Sequence, residues 1–476
     1  MTIISTKGQS SAYSQKVKRM HDVGEIRRIY NGIYTDELHK SDEEVVRENI
    51  LSITSILVPG AVISFKSGYT LKPDIDGNFF VVSQGKTRNI ELPGCKIHII
   101  NGMPPIKGDM PLLNGSLFLA SAARLLVENM YQNSRNRNKT KLFLESRMVD
   151  DFEAYGESYI TNLISKINDI SELSKKLVPA CSASIRMAKA VIGGEYKPEG
   201  KRLSMFMSGE PFDLKRVRLF ATLAMALTGH SFEHIKRENV EMTKLPFFEA
   251  YFSNYIEGTR MSVNDAESVL SGANNNVPKG DSHDINGVFS ICSKRMSPPQ
   301  SIDDIKNIHA SITYGRDIPH GIFKTINNRV GMNEFVRPEH LTGTLKEGLN
   351  MLNFIPDPVA KAIFSQFLIA ECHPFIDGNG RLSRLIMNSY LDEANLCRII
   401  IPTILRDDYI LALKRLSTNT DPSVLIKVMD KAYHFTSEID FSTTENAVMQ
   451  LNARNAFSES RDEHIQMESG DAEFSI

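Results

Sequence analysis

Residues His373-Pro374-Phe375-Ile376-Asp377-Gly378-Asn379-Gly380-Arg381-Leu382-Ser383-Arg384 gather, within twelve positions, the side chains that phosphate chemistry needs. Gly378 and Gly380 permit backbone angles that other residues resist, so successive amides can point into one concavity. If a helix starts there, its unpaired amides and its dipole favour an anion such as a phosphate. Arg381 and Arg384 are three apart, so they project from one helix face and can clamp phosphate oxygens. Asp377 is a hard carboxylate suited to Mg²⁺ bridging two phosphates, and His373 can take a proton from an incoming hydroxyl near neutral pH. Each piece alone is commonplace: a D-G-N-G is usually a turn, and an i,i+3 arginine pair is usually a solvated face. Their ordered coincidence points to nucleotidyl or phosphoryl transfer from a nucleoside triphosphate.

The elements that must hold these residues are legible on either side. The apolar stretch 361–372 reads as a helix that Pro374 terminates, because proline disfavours helical geometry in the residue before it. A helical pattern resumes over 381–391 through Leu385, Asn388 and Leu391. The arrangement is helix, tight glycine loop, helix. Further upstream, Ser253 and Glu257 share a helix face at i,i+4, and Gly258 is a natural helix end.

The stretch 373–384 matches the Fic-family motif H-P-F-x-D-G-N-G-R-x-x-R at every specified position, and the resemblance extends over roughly 243–457. It implies a helical catalytic core that transfers AMP from ATP to a Ser, Thr or Tyr hydroxyl of a target protein, with auto-modification as a further outcome. It implies His373 as general base, Asp377 as the Mg²⁺ ligand, Gly378, Asn379, Gly380 and Arg381 as the cradle of the α- and β-phosphates, and Phe375 as a packing anchor. Residues 321–325 together with Asn328, Arg329, Val330 and Gly331 resemble the family's β-hairpin flap over the target segment; Lys324 stands where the family often has arginine, and Asn328 where it often has an aliphatic residue. Tyr409, in Arg406-Asp407-Asp408-Tyr409, resembles a tyrosine near the adenine. The phosphate-transferring death-on-curing variant lacks the second glycine and second arginine, both present here; phosphocholine transfer uses the same motif with another nucleotide.

Ser253 and Glu257 resemble the inhibitory helix of the class II members, in which that helix precedes the core. The resemblance implies that Glu257 pairs with Arg384, the guanidinium needed for the γ-phosphate. In relatives the same glutamate can also position water for removing AMP, so a de-AMPylating hydrolase stays open. Near the N-terminus, residues 16–35 read as a basic helix, a glycine and a hairpin, and residues ~15–130 resemble AbiEi-type winged-helix antitoxin modules. Lys16, Lys18, Arg19, Arg27 and Arg28 would contact phosphates of DNA; a solvated charged face is the other reading. A DNA-associated regulator or toxin–antitoxin-like protein with a Fic sensor core is therefore the competing function.

The expected fold class is α+β: a small α/β module over 1–130, a helical linker region over 131–242, a mostly helical Fic core with a short hairpin flap over 243–457, and a frayed acidic tail over 458–476. Ser41 and Glu44 form a capping-box signature ahead of one helix through Val46, Ile50, Ile53 and Leu57. Strands are expected at 61–65, 79–83 and 96–100, a linker at 133–137, and a long helix through Tyr159, Leu163, Ile167, Ile170 and Leu177 that stops before Pro179. The 476 residues hold 55 Lys+Arg against 57 Asp+Glu, a net charge of −2 that supplies no global attraction for nucleic acid or anionic lipid. Five unpatterned cysteines, no signal peptide and no apolar run near the ~20 residues that span a bilayer lead to the expectation of a cytoplasmic, non-membrane protein.

Overall fold

The computed structural model describes residues 3–131, 137–237, 243–273, 277–331, 333–460 and 463–467. The chain forms two compact units, Met1–Met207 and Ser208–Ile476. The boundary falls inside the stretch 131–242 expected as one linker region. Its first helices share a core with the N-terminal unit, whereas Leu219, Phe220 and Leu223 join the core of the second. Residues 133–136 of the expected linker lie outside the described residues.

In the first unit, Ile3–Ser5, Ile33–Thr35 and Arg27–Tyr30 form an antiparallel sheet beside the helix Ser11–Asp22. The helix and hairpin expected at 16–35 are present. Arg27, however, is occupied by the Glu37 carbonyl at 2.8 Å, the Lys40 carbonyl and the Asp42 carboxylate, which removes it from the expected phosphate contacts. Ser41 and Glu44 make their capping box. The helix behind it is two helices, Asp42–Glu48 and Ile50–Leu57, because Asn49 leaves helical angles and its amide group turns back to the Val45 carbonyl.

A six-stranded mixed sheet follows, in the order Arg88–Leu92, Cys95–Asn101, Asn78–Ser83, Ala61–Ile63, Leu117–Leu119, Met110–Leu112. Its parallel register pairs Phe79 with Ile97 and Val81 with Ile99, which puts four apolar side chains on the face covered by Val45, Val46, Ile50 and Ile53. The rest of the unit is helical. The helix Arg137–Leu173 is interrupted at Gly156, where φ is 74°. It stops at Leu173, short of the expected Leu177, which falls in a 3₁₀ turn. Pro179 starts the next helix, Val178–Ala190, where its missing amide costs nothing.

Among its described residues the second unit is helical apart from one hairpin, Arg329–Val330 with Asn333–Glu334, and an isolated bridge between Lys236 and Leu396. Its centre is the pair Pro358–Cys372 and Asn379–Glu393, each buried on every side with twelve of its fifteen residues out of solvent. Leu245–Ile256 lies against the second of them, tied by a buried polar knot. Arg398 Nε donates to Asp392 Oδ1 at 2.9 Å and Nη1 to Glu249 Oε2 at 2.8 Å, while Asn388 Nδ2 donates to Glu249 Oε1 at 2.9 Å. A buried arginine needs such partners. The described part of the tail is seated: Ile465 is in the core, and Glu459 pairs with Arg260 at 3.2 Å. Residues 461–462 and 468–476 of the expected frayed tail lie outside the described residues. All five cysteines are buried and free, and no helix among the described residues is long and apolar enough to cross a membrane.

Candidate active site

Asp357 caps the start of Pro358–Cys372 by accepting from the Ala360 amide at 2.8 Å. The helix ends at Cys372, two residues before Pro374, and His373 takes left-handed angles of φ 48° and ψ 59°. That region costs a non-glycine residue about 1–2 kcal/mol, so the surrounding contacts must hold it. The His373 amide donates to the Ile369 carbonyl at 3.0 Å, and the imidazole stacks on Phe335 with centroids 3.9 Å apart. A ring N–H faces the Ala370 carbonyl, leaving the other nitrogen able to accept a proton. Burial, and then the nearby Lys324 ammonium, push the imidazole pKa down to about 4. At pH 7 this histidine is a neutral base.

The loop is fixed from both sides. Asn379 reaches back so that Oδ1 accepts from the Phe375 amide and Nδ2 donates to its carbonyl, both at 2.9 Å. Asn379 was expected to cradle phosphate; its side chain, 2% exposed, instead clasps the loop. Phe375 is fully buried, as an anchor should be, and its ring stacks on His309 at 3.6 Å. His309 Nδ1 accepts from the Gly321 amide at 3.0 Å and Nε2 donates to the Asp377 carbonyl at 2.9 Å, an assignment that follows from the partners. Gly378 has φ 79°, and a Cβ there would meet His309 and Thr313 at 3.3–3.4 Å. No side chain caps Asn379–Glu393, so its first-turn amides, which lack intrahelical acceptors, are able to receive an anion.

Both arginines of the motif are almost wholly buried and already paired. Arg384 donates through Nε to Ser253 Oγ at 3.0 Å, and through Nη2 to the Ser253 carbonyl at 2.8 Å and Glu257 Oε1 at 2.7 Å. Burial opposes its charge, and Glu257 and Tyr409 together outweigh that opposition. Ser253 and Glu257, joined by sequence spacing alone until now, thus meet the one guanidinium together. Glu257 closes the helix Leu245–Ile256, with Gly258 at φ 103° after it. Its carboxylate lies directly over Gly380, where a Cβ would stand only 2.1 Å from Oε1. Arg381 pairs with Asp284 at 2.5 Å and Asp377 at 3.3 Å, and Arg316 bridges the same two carboxylates at 3.1 and 3.3 Å.

The flap residues form the hairpin, with Arg329 opposite Glu334, Val330 opposite Asn333, and Gly331 in the turn at φ 61°. Arg329, Val330 and Gly331 are exposed. Lys324 and Asn328, the two departures from the family pattern, tie the hairpin to the loop. Lys324 Nζ donates to Asn328 Oδ1 at 2.6 Å and to the Cys372 carbonyl at 3.4 Å, and Asn328 Nδ2 donates to the Phe375 carbonyl at 3.2 Å. Burial lowers the Lys324 ammonium to about 8. Tyr409 does not offer an open face to an adenine: it is 2% exposed, its hydroxyl accepts from Gln366 Nε2, and it lies against Arg384. Sequence reasoning missed His309, Asp284 and Arg316. His309 was detectable, since it shares the apolar face of Ile302–Ile312 with Ile305 and Ile312; the other two carry no local signal.

Residues 299–391, within the second unit, match the model of the Fic/DOC family. The chain is 27% identical over 187 residues to protein adenylyltransferase fic-1 of Caenorhabditis elegans, covering 36% of this chain and 37% of that protein. It is 28% identical over 229 residues to protein adenylyltransferase Fic of Nematostella vectensis, covering 44% and 50%. The match therefore spans half or less of those relatives' own length. A solved structure of Fic-1 from C. elegans aligns with 67% of this chain and 99% of its own at 17% identity, with a TM-score of 0.38.

Proposed function

From a Fic domain whose motif loop is ordered in this way, we propose that the chain transfers AMP from ATP to a hydroxyl of a protein. The observation that carries the reading is the juxtaposition, at one loop, of a neutral, half-buried His373 and the uncapped N-terminus of Asn379–Glu393 with its two arginines. In the reaction the free imidazole nitrogen of His373 takes the proton of the hydroxyl. The hydroxyl oxygen bonds to the α-phosphorus, the bond from that phosphorus to the β-bridging oxygen breaks, and pyrophosphate leaves. The first-turn amides and Arg381 stabilise the charge that develops on the phosphate oxygens. The hairpin holds the target segment beside His373.

The residues present fit a magnesium ion. The Asp377 carboxylate sits at the open edge of the loop with 42% of its side chain in solvent, as a metal ligand shared with phosphates requires. When bound, the ion supplies charge neutralisation to the triphosphate.

Auto-inhibition by Glu257 belongs to the same proposal. Its carboxylate occupies Arg384 and the space over Gly380, so ATP entering beside it is turned from in-line attack. The test is transfer of label from ATP carrying it on the α-phosphate, set against ATP carrying it on the γ-phosphate, using the Glu257→Gly variant with a cell lysate. Protein labelled only from the α-position supports AMP transfer, and His373→Ala should abolish it. Label arriving from the γ-position, or persisting in His373→Ala, refutes it.

A further inference from the structure

Two residues beside the loop have no part in the mechanism so far. Asp284 lies on the helix Lys279–Cys292, and Arg316 in the turn after Ile302–Ile312. The two elements approach closely because Gly287 faces the second: a Cβ there would stand 2.2 Å from the Ile312 carbonyl oxygen. Asp284 Oδ2 receives Arg316 Nη1 at 3.1 Å and Arg381 Nη1 at 2.5 Å. The Nη2 groups of the same arginines reach opposite oxygens of Asp377, each at 3.3 Å. Two guanidinia and two carboxylates thus close a ring.

The ring is sealed at one end and open at the other. The side chains of Asp284 and Arg381 are 10% and 5% exposed, those of Asp377 and Arg316 are 42% and 26%. Arg381 Nε and Asp284 Oδ1 are buried without a hydrogen-bond partner among the described residues. Glu257 offers the informative contrast. It also pairs with a motif arginine, but it lies over the loop, where a ligand must go; Asp284 holds its arginine from the buried end. An acid in the ligand's place opposes binding, whereas an acid behind the guanidinium fixes its aim and keeps its charge.

We infer that Arg316 is a third phosphate-binding guanidinium for the nucleotide, and that Asp284 is the positioning residue that aims Arg316 and Arg381 together at the phosphate chain. The inference rests on the nucleotide-transfer reading above. A phosphate oxygen takes the place of Asp377 on the Arg316 Nη2 group, with no other movement of Arg316.

The experiment is calorimetric titration of ATP and of adenosine into the full chain carrying Glu257→Gly, then into the same chain with Arg316→Gln or Asp284→Asn added. Losing one charge-assisted hydrogen bond to a phosphate should weaken ATP binding about tenfold in Arg316→Gln and at least as much in Asp284→Asn, with adenosine affinity unchanged in both. Arg316→Lys, which keeps the charge and loses the fork, should fall between. A purely structural role would weaken both ligands in parallel, and that result overturns the inference. Asp284 is buried and its replacement can cost stability; Arg316 is half-buried, and ATP affinity equal to the parent's in Arg316→Gln overturns the inference by itself. If the parent transfers AMP while that equality holds, only this inference fails. A parent that neither binds ATP nor transfers AMP overturns the proposed function and this inference with it.

Discussion

Replacing Glu257 with glycine removes the carboxylate that Arg384 Nη2 holds at 2.7 Å but leaves the guanidinium oriented, because Ser253 Oγ and the Ser253 carbonyl still accept from it at 3.0 and 2.8 Å. What is lost is one charge-assisted hydrogen bond, in general worth about 1.5–3 kcal/mol. Arg384 is buried, but the Glu257 side chain is 32% exposed, so screening places the value at the lower end, about 1.5 kcal/mol. Nucleotide that must displace this carboxylate from Arg384 gains that amount when it is gone, roughly a tenfold rise in productively bound ATP. A second gain is steric, since the space over Gly380 is vacated. Initial rates of labelled-AMP incorporation into the chain itself and into lysate proteins, at saturating ATP, measure the sum: about tenfold or more above wild type for Glu257→Gly. Glu257→Gln, which keeps the volume and drops the charge, should fall between, and His373→Ala should be inactive in each background. Equal rates for wild type and Glu257→Gly would refute the reasoning, because the pair would then lie outside the path of the nucleotide.

Three further outcomes follow from the loop. With His373 held down at about 4 by burial and Lys324, the acid limb of kcat/KM in the Glu257→Gly background should fall near pH 4 instead of at histidine's ordinary 6.5, and Lys324→Met should move it upward. The same shift links to folding: the unfolded chain binds this proton first as pH drops below about 6.5, so the contribution is whole above that value and is lost as pH falls towards 4, visible as a falling urea midpoint between pH 7 and pH 4.5. Asn379→Ala leaves the buried Phe375 amide without the Asn379 acceptor, at about 1–3 kcal/mol, and takes one donor from its carbonyl, which keeps Asn328 Nδ2, at about 1 kcal/mol. A total near 2–4 kcal/mol should appear in urea unfolding, together with loss of transfer; Asn379→Asp, which still accepts from the amide, should lose less.

The chemistry of 373–384 was readable because its parts are contiguous and the backbone rules that join them are local: Pro374 ends one helix, Gly378 and Gly380 open the next. Ser41–Glu44 was readable for the same reason. Breaks at Asn49 and Gly156 were hidden, since each is a single residue inside an otherwise helical apolar pattern, and tertiary packing decides whether the helix bends or stops. Tyr409 shows a different gap. Its resemblance to a family tyrosine was readable from the sequence, but the direction it faces depends on Gln366 and Arg384, distant in the chain. Asp284 and Arg316 escaped because their meaning lies in a meeting with residues 61 to 97 positions away, for which no local pattern exists.

The loop is ringed by Arg316, Arg381 and Arg384 on one side of the charge balance and by Asp284, Asp377 and Glu257 on the other. The formal charges of these six side chains therefore cancel. A polyanionic nucleotide diffusing towards it meets no net attraction at range, and at physiological salt charges more than about 8 Å away are screened in any case. Arrival is then nearly indifferent to ionic strength, and capture begins only when phosphates exchange with carboxylates at contact. Removing Glu257 leaves one uncompensated positive charge, which converts the mouth into a weak attractor whose association rate falls as salt rises. Under the proposed auto-inhibition, the glutamate governs how quickly nucleotide arrives as well as how it lies once inside.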